Sequence, residues 1–360
     1  MQKMSKYFCK KNVPSFTRSI IFGTGARLKR AKSIYPVFLP FSGCPMHCVY
    51  CAQDRQTGTC MTGGISSVLE EAEKNLSALK PCAVCESREL AFYGGTFTAL
   101  PEEERRSCLS FLDRLRTAGI ITHARCSTRP DTLSSEVLDE LKAHGIDLIE
   151  LGIQSFDSMA LSASRRGYDG EAALQACRMV QDSGFLLGIQ LLPGMPGSSP
   201  EVFIKDAETA LGLRPACLRF YPCLVPEGTV LARWLAEGRY EPWSLEETVA
   251  TLGRALARAW EREVPVIRLS VAPEPAFDAA VLAGPRHPAL GALIQAEALL
   301  VSVRKAIEQL GEEPKALFLP RSCQGFMYGE RGELKEGWGR MGLAQERIFF
   351  TKNEKAELCA

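Results

Sequence analysis

Gly43-Cys44-Pro45-Met46-His47-Cys48-Val49-Tyr50-Cys51 sets three thiols within eight residues, in a C-x3-C-x2-C spacing with an aromatic residue before the last. Thiols this close together can reach one compact metal centre. Three is one short of a closed site, because a structural zinc and an electron-transfer cubane each take four protein ligands. Three thiolates on a four-iron cluster leave one iron open to a small molecule. The competing reading is structural: positions i, i+4 and i+7 share one face of an amphipathic helix, where cysteine serves as a small buried residue. Gly43 and Pro45 bracket the first thiol, however, and no apolar stripe continues the face. The metal centre is the better reading.

Outward from this loop the chain alternates strand and helix. Ile34–Leu39 reads as a short buried strand that delivers the chain into the cysteines. Further strands are expected at Glu89–Tyr93, Ile120–Cys126, Leu148–Ile153, Phe185–Leu192 and Cys217–Tyr221. Helical spacing fills the intervals at Ser66–Leu79, Pro101–Ala118, Ser134–His144, Gly170–Ser183 and Pro200–Gly212. Successive strand–helix units of this kind predict parallel βαβ repeats with right-handed crossovers. The expected fold class is α/β, a partial (β/α)6 TIM-type barrel over residues 34–272. A basic extension, residues 1–33, precedes it. A smaller C-terminal α/β extension, residues 273–360, follows a proline-rich break at Pro273 and Pro275. A long helix at Leu245–Arg262 and an extended stretch at Val266–Val271 lie beyond the sixth strand.

The distinctive motifs fall just after strands, where barrels of this type build their active sites. They are Gly94-Gly95-Thr96, Ser127-Thr128-Arg129-Pro130-Asp131, Gln154-Ser155-Phe156 and Pro193-Gly194-Met195-Pro196-Gly197. Each also has a plainer role. A double glycine makes a turn, Pro130 ends a strand, Asp131 or Thr132 caps a helix, and an arginine pair is a solvated surface.

Composition narrows the class. The 360 residues are 46% hydrophobic and 24% charged, as in an ordinary protein with a sizeable core. No apolar run approaches the ~18 residues of a membrane span, and no secretory signal is read at the N-terminus. Fourteen cysteines in a chain of this size read as reduced thiols plus a metal site, which predicts a cytoplasmic protein. Of the 43 Lys and Arg residues, nine (Lys3, Lys6, Lys10, Lys11, Arg18, Arg27, Lys29, Arg30 and Lys32) lie in residues 1–33, which contain no Asp or Glu. Such an arm can neutralise nucleic-acid phosphates, although a solvated extension is the plainer reading.

The cysteine spacing, with its aromatic residue, resembles the signature of the radical S-adenosylmethionine (radical SAM) enzymes. Phe38-Leu39-Pro40 before it and Gln53, Thr57 and Gly58 after it resemble the branch that contains the catalytic subunit of Elongator and its shorter bacterial relatives. Leu151-Gly152-Ile153-Gln154-Ser155-Phe156, Ser164-Arg165-Arg166-Gly167, Gly188-Ile189-Gln190 and Arg219-Phe220-Tyr221-Pro222 are similar to the same branch, in order, across roughly Ile34 to Val271. The resemblance implies a [4Fe–4S] cluster on Cys44, Cys48 and Cys51, with S-adenosylmethionine on the open iron. It implies reductive cleavage of that cofactor to a 5′-deoxyadenosyl radical, which abstracts hydrogen from a substrate. Tyr50 would lie against the adenine, and Gly94, Gly95 and Thr96 at the methionyl amino group. Ser127, Thr128 and Arg129 would meet the ribose or the carboxylate. Gln154, Arg166 and Gln190 complete the implied cofactor-binding set.

The substrate stays open at this point. tRNA or another RNA is one candidate, and a reductant such as flavodoxin or ferredoxin is implied. No acetyltransferase domain is expected, and the basic arm is short, so wobble-uridine carboxymethyl-type modification is not carried over. One alternative is a coproporphyrinogen-oxidase-like radical SAM enzyme acting on a small molecule. Another is a non-catalytic iron–sulfur or zinc scaffold that binds RNA, against which stand the cofactor motifs on separate strands. Among the other cysteines, Cys82-Ala83-Val84-Cys85 forms a CxxC pair, and Cys126 and Cys223 are expected at strand ends facing the site.

Overall fold

A computed structural model describes residues 16, 18–25, 33–40, 43–44, 47–52, 64–79, 82, 87–271, 275–329 and 331–360. Eight of the nine basic-arm residues, all but Arg18, lie outside the described residues, as do Gln53, Thr57, Gly58 and Cys85. The chain divides into two compact units, residues 25–298 and residues 1–24 with 299–360.

Strand β1 (Ser19–Gly23) belongs to the smaller unit. The larger unit follows with β2 (Ser33–Phe38), β3 (Arg88–Tyr93), β4 (His123–Thr128) and β5 (Leu148–Gln154). It continues with β6 (Leu186–Leu191), β7 (Cys217–Phe220), β8 (Val225–Pro226), β9 (Val266–Arg268) and β10 (Val281–Ala283). Strands β11 (Ala316–Pro320), β12 (Ile348–Thr351) and β13 (Lys355–Cys359) return to the smaller unit.

The larger unit is a curled parallel half-barrel in the order β2-β3-β4-β5-β6-β7-β9. It has seven strands where six strand–helix units were expected. Val266–Arg268 pairs parallel with β7, and the helix Leu245–Glu261 supplies the crossover. The third strand also starts later than its apolar pattern suggests. Ile120 and Ile121 still donate to the carbonyl of Leu115, at 2.9 and 3.4 Å, so they finish the preceding helix, and the strand runs on through Ser127 and Thr128.

Alternation along these strands separates two chemistries. Phe92, Cys126 and Ile149 are in register on one face. On that same face Phe220 meets Phe203, of the helix Pro200–Gly212, edge to face at 5.4 Å. Cys126 is therefore buried in the helix-side core and does not face the site, a correction that follows from register alone. The opposite, concave face carries Glu89, Tyr93, Arg125, Ser127, Glu150, Gln190 and Arg219. Helices start immediately beyond the strand ends because polar side chains satisfy their first amides. Ser134 accepts from Val137, Asp157 from Ala160, Asp169 from Ala172 and Ser199 from Val202.

The smaller unit pairs β1 with β13 antiparallel and β11 with both β13 and β12. Ser19–Gly23, read as part of a basic extension, is thus a sheet strand, and Arg18 donates to the carbonyl of Leu310 at 2.9 Å. Unit boundaries at 24 and 298 differ from the sequence divisions at 33 and 272. No helix among the described residues is long and apolar enough to cross a membrane.

Candidate active site

The cysteine loop is pinned from three sides. Leu39, just past β2, donates to the Tyr93 carbonyl at 2.7 Å, Val49 donates to Ser164 at 3.3 Å, and Leu231 donates to Val49 at 2.8 Å. Cys48 and Cys51 close a tight turn through Cys51 N–H to the Cys48 carbonyl, 3.1 Å. Gly43 has φ +81°, and a Cβ there would stand 2.7 Å from the backbone of Ala99, so the first thiol enters through a glycine that has no room for a side chain.

The three thiols share this loop but do not converge. Cys44 Sγ lies 3.0 Å from Thr96 Oγ1. Cys48 Sγ accepts from the guanidinium of Arg166 at 3.1 Å and from that of Arg129 at 3.7 Å. Among the described residues no three His, Cys, Asp or Glu side chains are gathered as a metal-holding group. The donor set nevertheless fits an iron–sulfur cluster: three thiols on one short loop, with none of the described cysteines in a disulfide.

Strand ends bring further sequence-predicted residues to this loop. Gly94 and Gly95 have φ of +95° and +60°, and Thr96 is fully buried against Cys44. Arg129 is anchored on Asp131 by two bonds of 2.9 and 2.7 Å and donates to the Arg166 carbonyl at 2.6 Å. Arg166 donates to the Gly152 carbonyl at 2.6 Å. Gln154, buried and at φ +69°, accepts from Gln190 Nε2 at 3.5 Å.

Ser127 and Thr128 point to opposite faces. Ser127 is level with Glu150 on the concave side, while Thr128 Oγ1 lies 2.6 Å from Thr98 Oγ1 and accepts from Thr98 N–H. Thr128 therefore holds the turn, and its hydroxyl is already engaged. Tyr50 has a half-buried ring, and its buried hydroxyl has no hydrogen-bond partner among the described residues. Burial raises the Tyr50 phenol well above its ordinary range. A buried hydroxyl in this loop with no partner among the described residues is a group that a bound cofactor would satisfy.

Two features escape a reading of the sequence. Tyr168 stacks against Arg166, with the guanidinium 5.1 Å from the ring centre, and accepts from its Nε at 2.9 Å. Its one hydroxyl proton is shared between the carbonyls of Gly152 and Ile153, each 3.0 Å away, so it locks the same strand end. Nothing about an Arg-Gly-Tyr turn signals that role.

The second is a buried ion network on the concave face. Arg125 pairs with Glu89 and, at 2.9 Å, with Glu150, and Arg219 pairs with Glu150 at 2.5 Å. Arg219 also donates to the hydroxyls of Tyr93 and Tyr221 at 2.6 and 2.8 Å. Burial alone would raise Glu150, but Arg219 and Arg125 hold its carboxyl below the ordinary range. A signal did exist: charged residues inside strands that are otherwise buried on both faces.

Elsewhere, Cys82 donates its thiol to the Ile120 carbonyl at 3.2 Å. Cys223 is 2% exposed, in an apolar cluster with Val49 and Leu231 against which Tyr50 packs.

Residues 38–210 match the family model of the Radical SAM superfamily, and residues 215–299 match that of the Radical_SAM C-terminal domain. The chain is 30% identical to a tRNA uridine(34) acetyltransferase of Methanocaldococcus infernus, over 46% of this chain and 35% of that one. It is 31% identical to mouse (Mus musculus) Elongator complex protein 3, over 50% of this chain and 37% of that one. The chain thus spans little more than a third of the length of these two curated relatives. Among solved structures, the archaeal Methanocaldococcus infernus Elp3 with an N-terminal deletion superposes with a TM-score of 0.56. It is 23% identical and covers 77% of this chain and 63% of that one, a likeness of fold.

Proposed function

This chain belongs to the radical SAM superfamily, and on that premise we propose that Cys44, Cys48 and Cys51 hold its cluster while the surrounding strand ends hold its S-adenosylmethionine. It is an enzyme whose cofactors are a [4Fe–4S] cluster and S-adenosylmethionine. When bound, the reduced cluster supplies the electron that breaks a C–S bond of S-adenosylmethionine, releasing the 5′-deoxyadenosyl radical that abstracts hydrogen from the substrate.

One observation carries the reading. The middle cysteine of the loop is met by two guanidiniums, from Arg129 after β4 and Arg166 beyond β5. Beside that loop the Tyr50 hydroxyl lacks a partner among the described residues. Arg129 and Arg166 would bind the methionyl carboxylate by charge-assisted hydrogen bonds. The carbonyls of Gly94 and Gly95, opened by their left-handed backbone, would accept from the ammonium, with Thr96 behind them. Tyr50 would pack on the adenine, Ser127, Gln154 and Gln190 would read ribose and methionyl atoms, and Thr128 would fix the turn that aims Arg129.

For the substrate we propose tRNA, with support from the names of the matched relatives, and for the reductant a flavodoxin or ferredoxin. A reducing cytoplasm suits the fourteen cysteines. The direct test is anaerobic reconstitution with iron and sulfide, reduction, addition of S-adenosylmethionine and assay of 5′-deoxyadenosine by mass spectrometry. The wild type is expected to form the product, and a Cys44→Ala/Cys48→Ala/Cys51→Ala variant to form none. A fully loaded wild type that neither binds nor cleaves S-adenosylmethionine would overturn the reading. For tRNA, glutamates in place of Lys3, Lys6, Lys10 and Lys11 are expected to weaken binding and flatten its salt dependence, by about 0.9 in log–log slope for each phosphate no longer neutralised. Salt-independent binding, or none, would remove tRNA as the substrate.

A further inference from the structure

Behind the strand-five loop, away from the cysteines, a buried carboxylate holds the chain by both oxygens. Asp206, on the helix Pro200–Gly212, is 4% exposed and accepts from Ser155 Oγ at 2.6 Å and from Phe156 N–H at 2.8 Å. Ser155 Oγ also accepts from Asp157 N–H at 3.0 Å, and Asp157 caps the helix Ser158–Ala163 through Ala160 N–H at 2.8 Å. The residue immediately before this clamp is Gln154, whose φ of +69° is left-handed and unfavourable for any residue but glycine. The β5–β6 register breaks between Leu151 and Gln154, and pairing resumes where Leu192 N–H reaches the Gln154 carbonyl at 2.9 Å.

A strained residue persists only where its surroundings over-determine it. Here Arg166 and Tyr168 hold Gly152 and Ile153 on one side of Gln154, and Asp206 holds Ser155 and Phe156 on the other. On the Asp206 side of this clamp the ionised carboxylate is held against the cost of its burial. Burial is the main cause that pushes its carboxyl up to about 6, partly offset by its bonds to Ser155 and Phe156. A group raised in the folded state stabilises when protonated and loses that contribution as pH rises through about 6. Ionised Asp206 is thus retained at the expense of stability. It supplies what a neutral isostere lacks, two acceptor oxygens for two donors on consecutive residues.

We infer that Asp206 is a positioning residue: by fixing Ser155 and Phe156 it sets the left-handed turn at Gln154 and so presents the Gln154 amide to S-adenosylmethionine. This rests on the proposed contact between Gln154 and that cofactor.

The test measures S-adenosylmethionine affinity by equilibrium dialysis on the cluster-loaded full chain, alongside Tm. Asp206→Asn keeps one acceptor and is expected to weaken binding about tenfold, the effect of removing one charge-assisted hydrogen bond. Its Tm at pH 8 should be unchanged or higher. Ser155→Ala is expected to weaken binding in the same direction and serves if the first variant folds poorly. In a Gln154→Ala background, Asp206→Asn is expected to add no further loss, because both act through one amide. Affinity losses that simply add, or a fall in Tm without a fall in affinity, would reduce Asp206 to a structural tie and overturn the inference. If Gln154→Ala weakens binding but Asp206→Asn and Ser155→Ala do not, the inference alone fails. If Gln154→Ala binds like the wild type, the proposed Gln154 contact fails and takes the inference with it.

Discussion

Glu150→Ala is expected to destabilise the parallel sheet by about 3–5 kcal/mol, the usual effect of stripping one partner from a buried ion network. Glu150 is 4% exposed and accepts from Arg125 at 2.9 Å and from Arg219 at 3.0 Å. Without it, among the described residues Arg219 keeps no carboxylate partner and Arg125 keeps only Glu89. A buried uncompensated charge is far more costly than a broken ion pair at the surface. The contrast lies within the same chain. Arg106–Glu102 is an exposed i,i+4 pair, and its disruption is expected to move stability by no more than about 0.5 kcal/mol. Urea denaturation of the two variants, side by side, checks the prediction. A loss below about 1 kcal/mol for Glu150→Ala would mean that water reaches the concave face and solvates the arginines. The pH dependence follows from the same geometry. Burial opposes ionisation of Glu150, Arg219 and Arg125 outweigh it, and the folded pKa is depressed. Its contribution is therefore present above the ordinary carboxylate pKa of about 4.3 and is lost as pH falls through and below it.

Gly94→Ala is the second large effect, expected to remove about 2–5 kcal/mol and to lower the iron content of reconstituted protein. A Cβ at Gly94 would lie 2.3 Å from the Leu39 carbonyl oxygen and 3.2 Å from its nitrogen, both backbone atoms that cannot swing away. Its φ of +95° adds about 1–2 kcal/mol of left-handed strain for any L side chain, and the overlap adds about 1–3 kcal/mol. The ends of β2 and β3 would have to part, and Leu39 leads directly into the cysteine loop. Gly212→Ala is the control. That glycine ends the helix Pro200–Gly212 with nothing within 4 Å of an added Cβ, so alanine there should be neutral or stabilise by up to about 1 kcal/mol. Thermal melts and iron quantification on both variants separate the two cases. Equal iron loading in Gly94→Ala would show that the loop does not depend on that close approach.

Some of this protein was written locally and could be read along the chain. The C-x3-C-x2-C spacing, the alternation of strand and helix from Ile34 to Cys217, and the double glycine after the second strand are encoded within a few residues each. Period, spacing and the conformational demands of glycine and proline are sufficient for that. What remained for the tertiary structure depends on register and on partners distant in sequence. Val266–Arg268 became a seventh barrel strand because β7 had an edge to pair, and Ser19–Gly23 became a sheet strand because residues 355–359 lay in register with it. Register also decided which way neighbours face, turning Cys126 into the core and Ser127 away from Thr128. Glu89, Arg125, Glu150 and Arg219 look like surface charges one at a time. They form a buried network only after the five strands from β3 to β7 have been laid side by side. Asp206 and Tyr168 carry no motif at all. Their part is to hold the backbone on either side of Gln154, and it exists only once the helix Pro200–Gly212 and the turn at Tyr168 have packed against the end of β5.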